Sequence, residues 1–159
     1  MQQKIVIYSA LTRLWGNKNT TRQPHGTLSA NGSGKLRDFT PEALAYIRSL
    51  GATHVWYIGL LEHATKTDYS AQGIRPDHPD TVKGQAGSPY AVKDYYDVDP
   101  DLAEDLHTRQ AELDALIKRT HQAGLQVLMD FIPNHVARTY HSDACPEGVS
   151  DLGATDDVQ

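Results

Sequence analysis

The sequence has one cysteine, no long apolar run and no excess of positive charge. Cys145 cannot form a disulfide within the chain, so no internal disulfide framework supports the fold. No stretch approaches the roughly 18–20 apolar residues of a membrane span. The net charge of −5 disfavours nucleic acid or an anionic membrane as the main partner. The apolar run near the N-terminus is too short for a signal peptide, and we expect a cytoplasmic location.

Strand and helix signals alternate along the chain. Short apolar runs predict strands over 4–10, 53–59 and 125–131. Cap and stop residues predict one helix from Thr40-Pro41 to Gly51 and a second over about 107–123, ended by Gly124. The third strand reads as buried on both faces, which is typical of parallel sheets. The order β-α-β-α-β fits an α/β fold, either a TIM barrel or a doubly wound sheet. No G-x-G-x-x-G turn follows any strand, which disfavours dinucleotide binding, and we expect no organic cofactor.

Apolar residues at helical spacing predict the buried face of each helix. The first helix would bury Leu44, Ile47 and Leu50, and the second would bury Leu113, Leu116, Ile117 and Thr120. The charged residues off the second stripe are predicted to face solvent; these are Glu112, Asp114, Lys118 and Arg119.

The connections from strand to helix are long and those from helix to strand are short. Residues 11–39 and 60–99 show no helical period, and connections of this length usually carry function. Acidic and imidazole side chains scatter through the first half of the second one, at Glu62, His63, Asp68, Asp77, His78 and Asp80. Their spacing matches no zinc pattern, so we interpret them as a solvated polar loop.

Three polar residues follow the third strand where it ends. Asp130, Asn134 and His135 come directly after the apolar run, within the segment DFIPNH. In parallel α/β folds, ligands bind at the carboxyl ends of the strands. The sequence therefore predicts a ligand site at this edge of the sheet.

The segment from Asp130 to His135 resembles the first signature of the α-amylase superfamily (glycoside hydrolase family 13), a strand ending in D-x-x-x-N-H. Three longer stretches also resemble that family in the expected order: 31–64 its first helix and second strand, 88–102 the stretch after that strand, and 119–135 its passage from helix to third strand. The resemblance covers nearly the whole chain.

This resemblance implies the N-terminal three β/α units of a (β/α)8 TIM barrel, with parallel strands and an incomplete barrel. Residues 1–136 would be the N-terminal part of the catalytic domain. Residues 137–159 would be the truncated start of the domain that the family inserts after its third strand.

The resemblance also implies roles for four side chains. His135 resembles the histidine that hydrogen-bonds the sugar in the cleavage subsite, and Tyr90 resembles the tyrosine that stacks under that sugar. Asp130 resembles an aspartate that organises the site through hydrogen bonds and should therefore have donor partners. Asn134 resembles a residue that ligates calcium through its carbonyl oxygen. The alternatives are a loop-capping histidine, an ordinary loop tyrosine and a turn-forming asparagine.

The family's retaining chemistry uses two carboxyl groups about 5–5.5 Å apart. In that family the nucleophilic Asp, the acid/base Glu and a third Asp follow the fourth, fifth and seventh strands. None of those positions occurs in this chain, so we expect no catalytic residue here. The parent protein would act on an α-linked glucan or oligosaccharide, and this fragment alone would be inactive. The alternatives are a non-catalytic carbohydrate-binding or regulatory relative, an α-glucan transglycosylase, or an unrelated small doubly wound protein.

Overall fold

Five strands and three α-helices run through residues 4–155, the part of the chain that a computed structural model describes. The strands are β1 (Ile7–Leu11), β2 (His54–Ile58), β3 (Leu61–His63), β4 (Val92–Val98) and β5 (Gln126–Met129). The helices are α1 (Leu28–Asn31), α2 (Pro41–Ser49) and α3 (Arg109–Gln122). No helix in this range is long and apolar enough to cross a membrane.

The central sheet consists of three parallel strands in the order β1-β2-β5. Val55 in β2 is aligned with Tyr8 on one side and with Val127 on the other. This confirms the predicted α/β fold with parallel strands. Two complete β/α units are present, since α2 follows β1 and α3 follows β2. Of the predicted third unit, residues 4–155 contain the strand β5 but no following helix.

Helix α2 begins and ends where the cap signals predict. Thr40 accepts a hydrogen bond from the backbone N–H of Ala43, and Pro41 occupies the first turn, where no N–H is needed. Leu44 and Ile47 are fully buried. Leu50, predicted to be buried, is 54% exposed, so that prediction is wrong. The helix ends at Ser49, and the chain turns away before the apolar stripe reaches Leu50.

Helix α3 lies within two residues of its predicted bounds, and Leu113, Leu116 and Thr120 are buried on it as expected. Two of its predicted solvent-facing residues have structural partners instead. Glu112 accepts hydrogen bonds from the backbone of Glu104 and Asp105, and Arg119 donates to the carbonyl groups of Leu36 and Phe39. Asp114 and Lys118 are exposed as predicted.

Aromatic rings fill the core between the helices and the sheet. Phe39 stacks on Trp15 with ring centroids 4.9 Å apart, and it lies nearly perpendicular to the Tyr57 ring with centroids 4.8 Å apart. Tyr57 is fully buried, and burial is the main reason that its pKa is raised to about 12. Val55 and Tyr57 alternate with half-buried neighbours along β2, so this strand directs one face into the core.

The two outer strands of the parallel sheet differ from their predicted positions. Strand β1 begins at Ile7 rather than at residue 4, and just ahead of the ladder the backbone of Val6 bonds to Thr53. Strand β5 is half-exposed rather than buried on both faces, and Met129 is 40% exposed. It lies at an edge of the sheet and has β2 as its one strand neighbour within residues 4–155.

The connection over 60–99, predicted as an irregular loop, contains a two-stranded antiparallel sheet. Leu61 in β3 pairs with Val98 in β4, and His63 pairs with Val92, with irregular register between these pairs. Charged residues occupy buried positions on both faces of β4, so the hydrophobic alternation that identifies a strand is absent from the sequence. A second small apolar cluster of Ala64, Val82 and Ala137 lies beside this hairpin.

Residues 137–144 return to β4. The backbone N–H of Ala137 donates to the Val92 carbonyl, and that of His141 donates to the Lys93 carbonyl. The segment that follows β5 is therefore attached to the hairpin. The domain boundary predicted at residues 136–137 stays a prediction.

We predict that Tyr57→Phe lowers the free energy of unfolding by about 1–2 kcal/mol. Thr120 Oγ1 donates to the Leu116 carbonyl and accepts from the Tyr57 hydroxyl at 2.6 Å, so the variant leaves a buried acceptor without its donor. Urea unfolding measures the change. Tyr46→Phe is the matched control, since Tyr46 is 60% exposed on α2 and should show no loss. Equal stabilities for Y57F and the wild type would contradict the prediction.

Candidate functional site

An open cleft of about 680 Å³ lies beside the carboxyl end of β5. Its walls come from the ends of β5 and β3, from the middle of β4, and from the segment that follows β5. The lining residues are Leu61, Tyr95, Tyr96, Met129, Asp130, Phe131, Pro133, Asn134, His135, Val136, Tyr140 and Leu152. The surface is mostly apolar and aromatic, with a few polar groups at one place, which is usual for a site that binds a small organic ligand.

Asp130 joins the ends of two neighbouring strands. Its Oδ1 accepts from the indole N–H of Trp56 at 2.7 Å, and its Oδ2 accepts from the backbone N–H of Gly59 at 3.2 Å. The expectation that this carboxylate has donor partners is confirmed. Gly59 has φ +77°, and an added Cβ would lie 2.8 Å from the Pro89 side chain, so this close approach requires glycine.

Asn134 and His135 lie on the exposed rim of the same cleft. The Oδ1 of Asn134 is 3.0 Å from Nδ1 of His135. With Nδ1 directed at the neighbouring amide, the Nε2 atom of the exposed ring remains for a ligand. Asp130, Asn134 and His135, which the sequence placed on one loop, thus share one cleft.

Tyr90 lies on the neighbouring connection and does not line this cleft. Its side chain is 44% exposed, two residues before β4 begins. The adjacent Pro89 packs against Gly59, whose N–H bonds to Asp130. The loop that carries Tyr90 therefore contacts the same edge of the sheet, although the ring itself stands outside the cleft.

Sequence reasoning missed the aromatic wall of the cleft. Tyr95 lies 6.0 Å from Phe131 and 5.9 Å from Tyr140 between ring centroids, and its hydroxyl donates to the Ile132 carbonyl. Phe131 is 75% exposed. The paired tyrosines in the segment VKDYYDV were the available signal, but they indicate a wall only once β4 is known to pair with β3.

Burial raises the pKa of the Tyr140 hydroxyl, with the neighbouring Asp151 carboxylate as a further cause. That hydroxyl donates to Asp151 Oδ1 at 2.6 Å, and the backbone N–H of Ser142 donates to Oδ2. Tyr140 is therefore held in its neutral, hydrogen-bonding form at the far wall of the cleft.

The predicted solvated loop is solvated only in part. Asp68, His78 and Asp80 are exposed as expected. Glu62 and His63 are buried in the hairpin, so the prediction is wrong for these two residues. The side chain of Asp77 is also covered, because Lys93 and the hydroxyl of Thr139 contact it. Tertiary pairing across the hairpin explains why local polarity was misleading.

Buried polar contacts hold residues of the long connections in place. Arg13 Nη2 lies 3.1 Å from Asp101 Oδ2, and Tyr69 donates its hydroxyl to the other oxygen of Asp101. Burial and the Asp101 charge raise the pKa of Tyr69. His63 lies 3.6 Å from Asp99, whose pKa is raised by burial despite that neighbour. These contacts hold the segments that carry them in one arrangement.

Comparisons with known proteins agree on one family. A family model described as the α-amylase catalytic domain matches residues 19–145. A cyclomaltodextrinase from a Bacillus species is 25% identical over 135 residues, which are 85% of this chain and 21% of that protein. A pullulanase from Bacillus subtilis is 30% identical over 119 residues, which are 73% of this chain and 14% of that protein.

A solved structure agrees with the fold. The crystal structure of an α-amylase from Lactobacillus plantarum matches with a TM-score of 0.57 and 24% identity, covering 85% of this chain and 24% of that one. The chain thus spans a quarter or less of the length of these relatives.

We predict that Asp130→Asn lowers the free energy of unfolding by about 1–3 kcal/mol. An asparagine offers one acceptor oxygen, so either Trp56 Nε1 or the Gly59 N–H then faces an NH2 group. Chemical denaturation followed by Trp fluorescence reports both the stability and the Trp56 environment. Asp114→Asn on the exposed face of α3 is the control, with no expected change. An unchanged midpoint for D130N would show that the bridge between the strands contributes nothing.

Proposed function

This chain belongs to the α-amylase catalytic-domain family, and from that membership we propose that it forms a sugar-contacting part of an enzyme acting on α-glucans. The enzyme would cleave α-glucosidic bonds by retaining double displacement. The observation that carries the proposal is the meeting of Asp130, Asn134 and His135 in one aromatic cleft, at the carboxyl end of a parallel strand.

The proposed chemistry requires two carboxyl groups, one attacking the anomeric carbon and one protonating the leaving oxygen. Asp130 is the one acidic residue that lines the cleft within residues 4–155. Both of its oxygens already accept hydrogen bonds, and Trp56 and Gly59 hold it beside the sheet. We therefore assign it a positioning role and assign no catalytic residue to this chain. The two reacting carboxyl groups would come from parts of the protein outside it.

Each remaining residue would contact the sugar in a way that suits its chemistry. The exposed imidazole of His135 can donate to or accept from a sugar hydroxyl. The exposed ring of Tyr90 offers a flat apolar face to the C–H groups of a pyranose, together with a polar hydroxyl. The loop of Tyr90 reaches the site through the packing of Pro89 on Gly59, which supports a shared sugar.

The finer description of the fold is part of the same proposal. The three parallel strands would be the first three of an eight-stranded barrel, and residues from 137 onward would begin the inserted domain. The hydrogen bonds between residues 137–144 and β4 support an inserted domain that starts next to the cleft.

Calcium is a further part of the proposal. Asn134 is exposed, and its Oδ1 is an oxygen of the type that Ca²⁺ binds. It supplies one ligand, so the others would lie outside this chain, and the ion would order the rim of the cleft. A cytoplasmic location also stays a prediction.

Two other functions share the same cleft. In an α-glucan transglycosylase a sugar hydroxyl replaces water as the acceptor, and the contacts made by this segment would be the same. A non-catalytic carbohydrate-binding or regulatory relative is favoured by one observation, the single fully bonded carboxylate in the cleft. An Asp and a Glu in reacting positions elsewhere in the gene product would decide for the enzyme.

We predict that the 159-residue chain alone releases no reducing sugar from soluble starch, because Asp130 supplies the one carboxyl group that lines the cleft within residues 4–155. The measurement is a reducing-end assay with the chain, with the full-length gene product as the positive control. Activity of the chain that disappears in Asp130→Asn would contradict the assignment of a positioning role.

We predict that Tyr90→Ala and His135→Ala each lower kcat/KM of the full-length gene product on soluble starch about tenfold to a hundredfold. A lost contact to the reacting sugar costs roughly 1.5–3 kcal/mol, and each 1.4 kcal/mol is about tenfold. Matched controls are Tyr46→Ala and His78→Ala, which remove exposed side chains of the same types away from the cleft. If the site variants behave like their controls, this segment does not contact the sugar.

A further inference from the structure

His63 and Asp99 lie buried beside each other in the hairpin of β3 and β4. His63 ends β3, Asp99 directly follows β4, and each residue is 2% exposed. Nδ1 of His63 lies 3.6 Å from Oδ2 of Asp99, which is within ion-pair distance. Oδ1 of Asp99 accepts from the backbone N–H of Asp101 at 3.0 Å, whereas Oδ2 has no hydrogen-bond partner within residues 4–155. A buried carboxylate oxygen without a donor is costly, so its charge needs a compensating proton.

The two ring nitrogens of His63 both face oxygen acceptors. Nε2 lies 3.1 Å from the carbonyl oxygen of Ala86. Nδ1 lies 3.3 Å from the carbonyl oxygen of Leu61 and 3.6 Å from the Asp99 carboxylate. A neutral imidazole has one N–H and one lone pair, so beside an ionised carboxylate it would direct that lone pair at an acceptor. Two protons satisfy the arrangement, one on Nε2 and one between Nδ1 and Oδ2 of Asp99.

The charged groups nearest the pair already compensate one another. Arg13 Nη2 lies 3.1 Å from Asp101 Oδ2, and the Tyr69 hydroxyl donates to the other oxygen of Asp101. Burial raises the pKa of Asp99 most strongly; His63 and Arg13 oppose this shift, while Asp101 adds to it. The charge of Asp99 is therefore balanced chiefly within its pair with His63.

The segment from Ala86 to Ala91, here called the tyrosine segment, is fixed at both ends. The Nε2–H group of His63 donates to the Ala86 carbonyl. The backbone N–H of Ala64 donates to the Ala91 carbonyl at 3.0 Å. Tyr90 therefore lies between two anchors that come from consecutive residues of the chain.

Close packing leaves the tyrosine segment little room to shift. Gly87 has φ +73°, and an added Cβ would overlap the Ala64 carbonyl oxygen and lie 3.3 Å from Cδ2 of His63. Further along the segment, Pro89 packs on the edge of the parallel sheet. A change at the His63 ring is therefore transmitted to the backbone that carries Tyr90.

We propose that His63 and Asp99 share a buried proton at neutral pH, and that this proton fixes the tyrosine segment. When the proton passes to solvent at alkaline pH, His63 keeps one N–H group. That group can serve either the Ala86 carbonyl or Asp99, and the other acceptor then loses its donor. His63 and Asp99 are positioning residues, and their effect on sugar binding through Tyr90 rests on the proposed function.

The shared proton makes the stability of the fold depend on pH. In an unfolded chain an aspartate is ionised above about pH 4, and an imidazole loses its proton near pH 6.5. Above about pH 7 the folded chain alone holds the proton, so folding takes up one proton. The folding equilibrium constant then falls by up to about tenfold for each unit that the pH rises.

The first test compares the wild-type chain with Asp99→Asn in urea unfolding between pH 7 and pH 9. The asparagine amide can donate to Nδ1 of a singly protonated His63, so D99N keeps the contact without a titrating proton. We expect its stability to fall less steeply with pH than that of the wild type. His78→Gln is the matched control and should keep the wild-type slope, because His78 forms an exposed pair with Asp80 at 3.8 Å. Equal slopes for D99N and the wild type would overturn the proposal.

Nitrogen-15 NMR of the wild-type chain observes the His63 ring directly and needs no variant. At pH 7 we expect Nε2 to carry a proton and Nδ1 to carry or accept the shared one. An Nδ1 resonance typical of a free lone pair at pH 7 would overturn the proposal.

The role of the pair in positioning Tyr90 is tested in the full-length gene product. We expect His63→Gln to lower kcat/KM on soluble starch about tenfold or more, because a displaced contact group weakens catalysis steeply. Asp99→Asn should lower it less, since it preserves the contact between the two side chains. In a Tyr90→Ala background His63→Gln should have no further effect, because it acts through the residue already removed.

An equal loss in both backgrounds would overturn the positioning role. If Tyr90→Ala has no effect on kcat/KM while D99N and the wild type differ in pH slope, the sugar contact is wrong and the shared proton is supported. Should His63→Gln fail to fold, the slopes of D99N and the wild type and the NMR of the wild type decide the proposal.

Discussion

The carboxylate of Asp130 holds together the edge of the sheet that carries the candidate site. It follows β5 and bonds to Trp56 of β2 and to the backbone of Gly59 just beyond it, so two parallel strands end in a common position. Pro89 packs on Gly59, and this contact adds the second long connection to the same edge. The path of the chain after Asp130 then places Asn134 and His135 on the rim of the cleft.

Buried charge is the second constraint, and it acts through the hairpin. Lys93, Asp94 and Asp97 occupy buried positions that a simpler strand would fill with valine or isoleucine. Each charge fixes a different element: Lys93 holds the turn at Arg75, Asp94 holds residues 142–144, and Asp97 holds α3 through Arg109. Burying these charged side chains costs free energy that apolar side chains would not cost. Their ion pairs therefore fix the positions of the loops rather than add to the stability of the fold.

How far the sequence predicted this architecture depends on the kind of signal. Capping residues and apolar periodicity identified α2 and α3, because those signals are local and act within one turn of helix. The exposure of Leu50 and the partners of Arg119 were missed, since both depend on where the chain goes after the helix or on a neighbouring loop. The hairpin was missed altogether, because several buried residues of β4 are charged and their partners lie elsewhere in the chain.

The candidate site was likewise predictable where it depends on local sequence and not where it depends on distant contacts. Local order along one segment was enough to place Asp130, Asn134 and His135 together, because a strand and its following loop stay adjacent wherever the strand packs. The aromatic wall, the position of Tyr90 and the meeting of His63 with Asp99 depend on residues about 30 or more positions apart in the chain. Such contacts are formed by strand pairing and loop packing, whose energies arise between distant residues and leave no periodic trace in the sequence.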